Sequence, residues 1–267
     1  MTQTERMSPM LEGKTAIIYG GGGFIGQGVA RTFAREGALV FLAGRRGAPL
    51  EATAETVTAA GGRAYPAVLD ALDEQAVERH VKSVADQTGG IDISFNLTSR
   101  GDVEGTRLLA MTTDDFVAPS VTGLRSNFIT ARAAARHMVD QGRGVILMLT
   151  SGSGLEATPP EFWPMGGTGP TDAAIESFMR YLAAEVGPKR VRVNCLCTAG
   201  VTLKVDEPPA DGSDSIVDAL VNVSMLRKRP TLQEVAETAA FLASDRASGI
   251  TASIVNVSSG ITSQLTH

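Results

Sequence analysis

Two groups of residues have the types and spacing to do chemistry on a nucleotide. The first is the run Tyr19-Gly20-Gly21-Gly22-Gly23-Phe24-Ile25-Gly26, in which glycines 21, 23 and 26 fit G-x-G-x-x-G. Ahead of it, Lys14 to Tyr19 reads as a short buried strand. Behind it, Phe24 to Glu36 reads as a helix with apolar positions Ile25, Val29, Ala30 and Phe33. Glycine permits close backbone approach at such a strand-to-helix turn, and the helix start offers unpaired N–H groups to a pyrophosphate. The second group is Gly44-Arg45-Arg46, which follows the next apolar segment with no acid at its end. A dinucleotide site for NAD places a carboxylate there to hold the ribose hydroxyls. A basic residue instead pairs with the 2′-phosphate of NADP, so the pattern points to NADP(H).

These residues need a scaffold, and the chain is long enough to supply it. At 267 residues, 43% hydrophobic and 20% charged, it reads as one α/β domain over 1–267 with no interdomain linker. Strand candidates are Thr15–Tyr19, Leu39–Ala43, Ala64–Val68, Ile91–Phe95, Gly144–Leu149, Val191–Leu196 and Ser253–Val257. Helical stretches lie between them near Leu50–Ala60, Glu74–Gln87, Asp114–Asp140, Thr171–Val186 and Leu232–Ala243, the last opened by a Thr231/Glu234 capping box. This alternation predicts a Rossmann-like, doubly wound parallel sheet of about seven strands with helices on both faces. The stretch 198–230, rich in Pro, Gly, Asp and Ser, is either a substrate lid or a plain surface excursion.

Composition excludes several function classes. A net charge of −5 argues against nucleic acid or an anionic membrane as partner, and no apolar run spans a bilayer. The polar start, with Glu5 and Arg6, is unlike a signal peptide. Cys195 and Cys197, two residues apart on one strand, read as buried thiols of a reducing cytoplasm. His80, His137 and His267 have no metal-ligand spacing, so no metal is expected.

Further along, the chain resembles the short-chain dehydrogenase/reductase family over nearly its whole length. Asp70 with Ala71 matches the adenine-contacting position after the third strand. Asn96 keeps the first Asn of the fourth-strand motif, and Leu97 follows it. Leu149-Thr150-Ser151 matches the end of the fifth strand and places Ser151 at the family's catalytic serine. Arg192-Val193-Asn194 matches the sixth-strand signature. The turn carrying Gly20, Gly22, Gly23, Phe24, Ile25 and Gly26 looks more like the extended or atypical branches. The resemblance implies a nicotinamide cofactor, a small-molecule substrate and a homo-oligomer, tetramer or dimer.

One departure stands out. The family's Tyr-x-x-x-Lys supplies a phenol as acid or base and a lysine that lowers its pKa and binds the nicotinamide ribose. None of Tyr19, Tyr65 and Tyr181 is followed four residues later by lysine. Matching Ala173-Ala174-Ile175-Glu176 to the family helix puts Thr168 at the tyrosine and Asp172 at the lysine, while Gly123 falls at a further family Asn. A threonine is too weak an acid for the phenol's task. A carboxylate at 172 also reverses the local field, which favours C=N acceptors over simple ketones. Candidate catalytic residues are therefore Ser151, Thr168 and Asp172. Arg100 and Asp102 read as a rim pair, Asp102 being an eligible proton donor, and Trp163 packs over a substrate or a neighbouring subunit. An NADP(H)-dependent reductase with a non-standard site is the favoured reading. An NADP(H)-binding regulator or a non-redox biosynthetic enzyme on the same fold remains open.

Overall fold

The computed structural model describes residues 8–152, 164–203 and 220–261. Trp163, His267 and the middle of the 198–230 stretch lie outside the described residues. Seven strands form one parallel sheet: β1 (Thr15–Tyr19), β2 (Leu39–Gly44), β3 (Arg63–Val68), β4 (Ile93–Asn96), β5 (Gly144–Thr150), β6 (Val191–Cys197) and β7 (Ile254–Asn256). Their order is β3-β2-β1-β4-β5-β6-β7, so strand order reverses between β1 and β4. Tyr19 pairs there with Asn96, which sets the ends of β1 and β4 side by side. Open α/β sheets bind ligands beyond the strand ends at such a reversal.

Among the described residues, six α-helices cover the two faces: α1 (Phe24–Arg35), α2 (Gly47–Ala59), α3 (Glu74–Thr88), α4 (Thr113–Gln141), α5 (Thr168–Val186) and α6 (Leu232–Ala243). Val29, Ala30 and Phe33 of α1 join Leu50 and Val57 of α2 and Val235 of α6 in one apolar layer. Val77 and Val81 of α3, Ile129 and Met138 of α4, and Ile175 and Met179 of α5 build the other. Each fully buried Val, Leu, Ile, Phe or Met side chain among them contributes about 1.5–3 kcal/mol. The sheet is thereby clamped from both sides, and only its strand ends are left to bind. No helix among the described residues is long and apolar enough to cross a membrane.

Element ends follow local chemistry. β4 starts two residues later than the apolar run suggests, and the Asp92 side chain just ahead of it ties β1 to the start of β5. Its carboxylate accepts from Thr15 N at 2.9 Å and from Arg143 Nε at 3.0 Å. The capping box on α6 is present in both directions. Helix α5 begins at Thr168, three residues before the expected start, with uncapped Gly167 preceding it. A Cβ on Gly167 would fall 2.3 Å from the Phe116 carbonyl oxygen, so the start of α5 is pressed against α4. Both cysteines are free and buried, and burial pushes the Cys195 thiol well up.

Candidate functional site

A cleft of about 660 Å³ opens at the reversal point, within the size range of small-molecule and cofactor sites. Gly20, Gly22, Gly23, Phe24, Ile25 and Gly26 line it, together with Arg45, Arg46, Asp70, Ala71 and Leu97. Gly20 has φ +79°, and a Cβ there would lie 2.4 Å from the Leu97 carbonyl oxygen. On Gly26 a Cβ would lie 2.3 Å from the Gly20 carbonyl oxygen. Only glycine lets the turn fold this tightly against β4. Gly21 does a different job from the one its motif position suggests. It does not line the cleft, and a Cβ there would meet the Leu42 side chain at 2.8 Å.

The residues present fit a dinucleotide's phosphates. Gly23 caps α1 without a side chain, and no acid stands in the first turn. The opening N–H groups of α1 therefore meet an anion without a competing carboxylate. Arg45 and Arg46 are exposed at the end of β2, on the same wall. Asp70 accepts from Leu72 N at 3.0 Å, an Asx-type turn that fixes the loop carrying Ala71.

Asn96 lies apart from the open cleft. It is buried, and its Oδ1 accepts from Thr98 N at 3.0 Å and Thr98 Oγ1 at 2.7 Å. Its Nδ2 donates to Thr130 Oγ1 at 3.2 Å. It therefore shapes the loop after β4. An adjoining pocket of about 180 Å³ is lined by Asn96, Arg100, Asp102, Asn127, Thr150 and Ser151, among others.

At that inner pocket the sequence-level candidates come together, though not as the spacing suggests. Asp172 is fully buried. Its Oδ2 accepts from Ser151 N at 2.9 Å, Ser151 Oγ at 3.0 Å and Gly152 N at 2.9 Å. Its Oδ1 accepts from Arg100 Nη1. The carboxylate thus faces inward and is paired, which removes the basis for expecting Asp172 to select C=N acceptors. Ser151 spends its one hydroxyl proton on Asp172 and remains an acceptor toward the pocket. Thr168 is fully buried as well, and its hydroxyl donates to Asp102 Oδ1 at 3.2 Å and Glu104 Oε1 at 3.4 Å.

Arg100 and Asp102 form an interior pair where the sequence suggests a surface one. Arg100 Nε donates to Asp102 Oδ2 at 3.1 Å, and the two side chains are only 11% and 22% exposed. Burial works against the Arg100 charge, but Asp172 and then Asp102 outweigh it and hold its pKa above the usual value. Asp102 is tied to a cation and to Thr168, which leaves it poorly placed to act as a free acid. Tyr19 borders the cleft, yet its phenol lies wholly within the apolar layer, and burial pushes its pKa far up.

Known proteins match this chain over its length. A family model described as enoyl-(acyl carrier protein) reductase covers residues 23–262. The 3-oxoacyl-[acyl-carrier-protein] reductase FabG of Chlamydia trachomatis is 30% identical over 260 residues, 96% of this chain and all of that protein. Oxidoreductase asL5 of Sarocladium schorii is 32% identical over 252 residues, 94% of this chain and 96% of its own. The crystal structure of gox2181 superposes with a TM-score of 0.85 at 27% identity, covering 95% of this chain and 97% of that one. Fold and site thus define a nicotinamide-cofactor oxidoreductase on a Rossmann-like sheet. The chain belongs to the short-chain dehydrogenase/reductase family.

Proposed function

We propose that this protein is an NADP(H)-dependent reductase of a small organic substrate that works without the family's tyrosine and lysine. The observation that carries the reading is the pair Arg45 and Arg46 on the cleft wall at the end of β2, with no acid ending that strand. In this role the guanidinium groups bind the 2′-phosphate through charge-assisted hydrogen bonds. The glycine turn and the start of α1 hold the pyrophosphate, and Asp70 and Ala71 border the adenine. The bound cofactor would supply the hydride. Ser151, its proton held by Asp172, presents only an acceptor oxygen to the pocket and in this role orients the substrate through an N–H or O–H of that substrate. No described side chain lining the inner pocket offers a phenol or imidazole, and in this reading water supplies the proton to the product.

That same lack of an acid favours a second reading, in which NADP(H) binds and is not consumed, as in a regulator, or serves a non-redox reaction. Exposed Phe128 on α4 and Tyr181 on α5 support a homo-oligomer, tetramer or dimer. Calorimetric titration with NADPH and NADH tests the cofactor, with NADPH expected to bind more tightly. Equal affinity would sink the NADP(H) assignment. NADPH absorbance followed over a panel of aldehydes, ketones and imines then separates the two readings: consumption supports the reductase, and tight binding with no turnover supports the second.

A further inference from the structure

Three features of the inner pocket fit one another. Arg100 reaches inward from the loop after β4, past Gly123 on α4, to Asp172 on α5. A Cβ on Gly123 would lie 2.8 Å from Arg100 Cδ and 3.1 Å from Thr171 Cγ2, so a side chain there would obstruct the arginine. A glycine inside a helix is disfavoured against alanine, and here its bareness makes the passage. Asp172 and Asp102 then fix the guanidinium from two sides, through Nη1 and Nε. Nη2 has no partner among the described residues, and Arg100 lines both the large cleft and the serine pocket. It lines the cleft with Thr98 and Ser126, and β1 separates the end of β4 that carries it from the end of β2 that carries Arg45 and Arg46.

We propose that Arg100 is a cofactor-binding residue: its Nη2 edge donates to the vicinal hydroxyls of the ribose in the nicotinamide half of NADP(H), with Asp172 and Gly123 as positioning residues. This rests on the NADP(H) reading above. If Arg45 and Arg46 hold the 2′-phosphate, the second ribose falls toward Arg100, and a planar fork of N–H donors suits two adjacent oxygens. The surplus negative charge of Asp102 and Asp172 around one arginine fits a neutral diol better than an anionic group.

The test is calorimetry on the full chain with three probes: NADPH, 2′-phospho-ADP-ribose, which keeps the second ribose but lacks nicotinamide, and 2′,5′-ADP, which lacks both. Arg100→Ala is expected to weaken the first two by about tenfold or more, the worth of one or two hydrogen bonds, and 2′,5′-ADP by less than about twofold. Gly123→Ala should show the same selectivity in weaker form. Because Arg100→Ala strands a buried carboxylate, Arg100→Met/Asp172→Asn serves as the folded control, checked by its melting curve, with the same pattern expected. Loss on NADPH alone would assign Arg100 to the nicotinamide ring and overturn the proposal. Equal loss on all three probes, or on none, would also overturn it. Failure of the wild type to bind any probe would instead defeat the NADP(H) reading on which it stands.

Discussion

At the adenosine end of the cleft the working groups are mostly backbone: the tight turn of Gly20 to Gly26 and the open start of α1, with Arg45 and Arg46 added from β2. At the inner end they are side chains bonded to one another, Ser151 to Asp172 to Arg100 to Asp102 to Thr168. A backbone site depends on where glycine is allowed, and each residue can be judged nearly alone. A bonded side-chain cluster depends on its members jointly, so a change at one draws in the others. The buried carboxylate of Asp172, the bare Gly123 beside it and the inward-reaching Arg100 are one arrangement.

The sharpest way to break this contrast is to remove the hub of the cluster. Asp172→Ala leaves Arg100 with one partner and strips three donors from Ser151 and Gly152 of their acceptor. Breaking a buried pair from one side costs about 3–5 kcal/mol, so the urea midpoint should fall steeply. Introducing a tyrosine and a lysine as Thr168→Tyr/Asp172→Lys should be no gentler, because a lysine would face Arg100 and a tyrosine would enter a fully buried site. A double variant that folds with wild-type stability would refute the picture of an interdependent cluster.

At the other end, the expected damage is more local. Gly20→Ala forces a side chain to φ +79° and against the Leu97 carbonyl. Overpacking of this kind costs roughly 1–3 kcal/mol, and NADPH affinity should drop with it. An alanine variant that melts and binds like the wild type would show that the turn has slack. Arg45→Ala and Arg46→Ala should each lower NADPH affinity by about tenfold to a hundredfold, the worth of a charge-assisted contact. NADH affinity and melting temperature should stay unchanged. Parallel loss for NADH would mean that the arginines support the loop and leave the 2′-phosphate to another group.

The contrast also explains what the sequence made legible. The strands and helices were readable because apolar spacing and caps are local, and the phosphate turn because glycines show themselves singly. The inner site was not. Arg100 and Asp172 are 72 residues apart and meet only once β4, β5, α4 and α5 are assembled. With Asp102 only two residues away, Arg100 looked like half of a rim pair. Gly123 offers nothing to read by itself, since its use as a gap for Arg100 requires a neighbour that no spacing reveals. A buried carboxylate is worth pairing with any nearby unassigned arginine before its charge is given to a substrate.

Ser151 is where the two ends can be compared most finely. Its hydroxyl and its N–H both go to Asp172 Oδ2, and Gly152 N joins them there. Ser151→Ala removes one of those three hydrogen bonds and leaves the two backbone donors in place, so the carboxylate keeps Arg100 and its position. The expected loss is about 1 kcal/mol of stability, with NADPH affinity unchanged because Ser151 does not line the main cleft. If reductase activity is found, kcat should fall while KM for NADPH holds, since a donor group of the substrate loses its orienting oxygen and the cofactor loses nothing. A fall in NADPH affinity matching that of Arg100→Ala would mean that Ser151 fixes the arginine as well, extending the interdependence of the inner end to every hydroxyl within it.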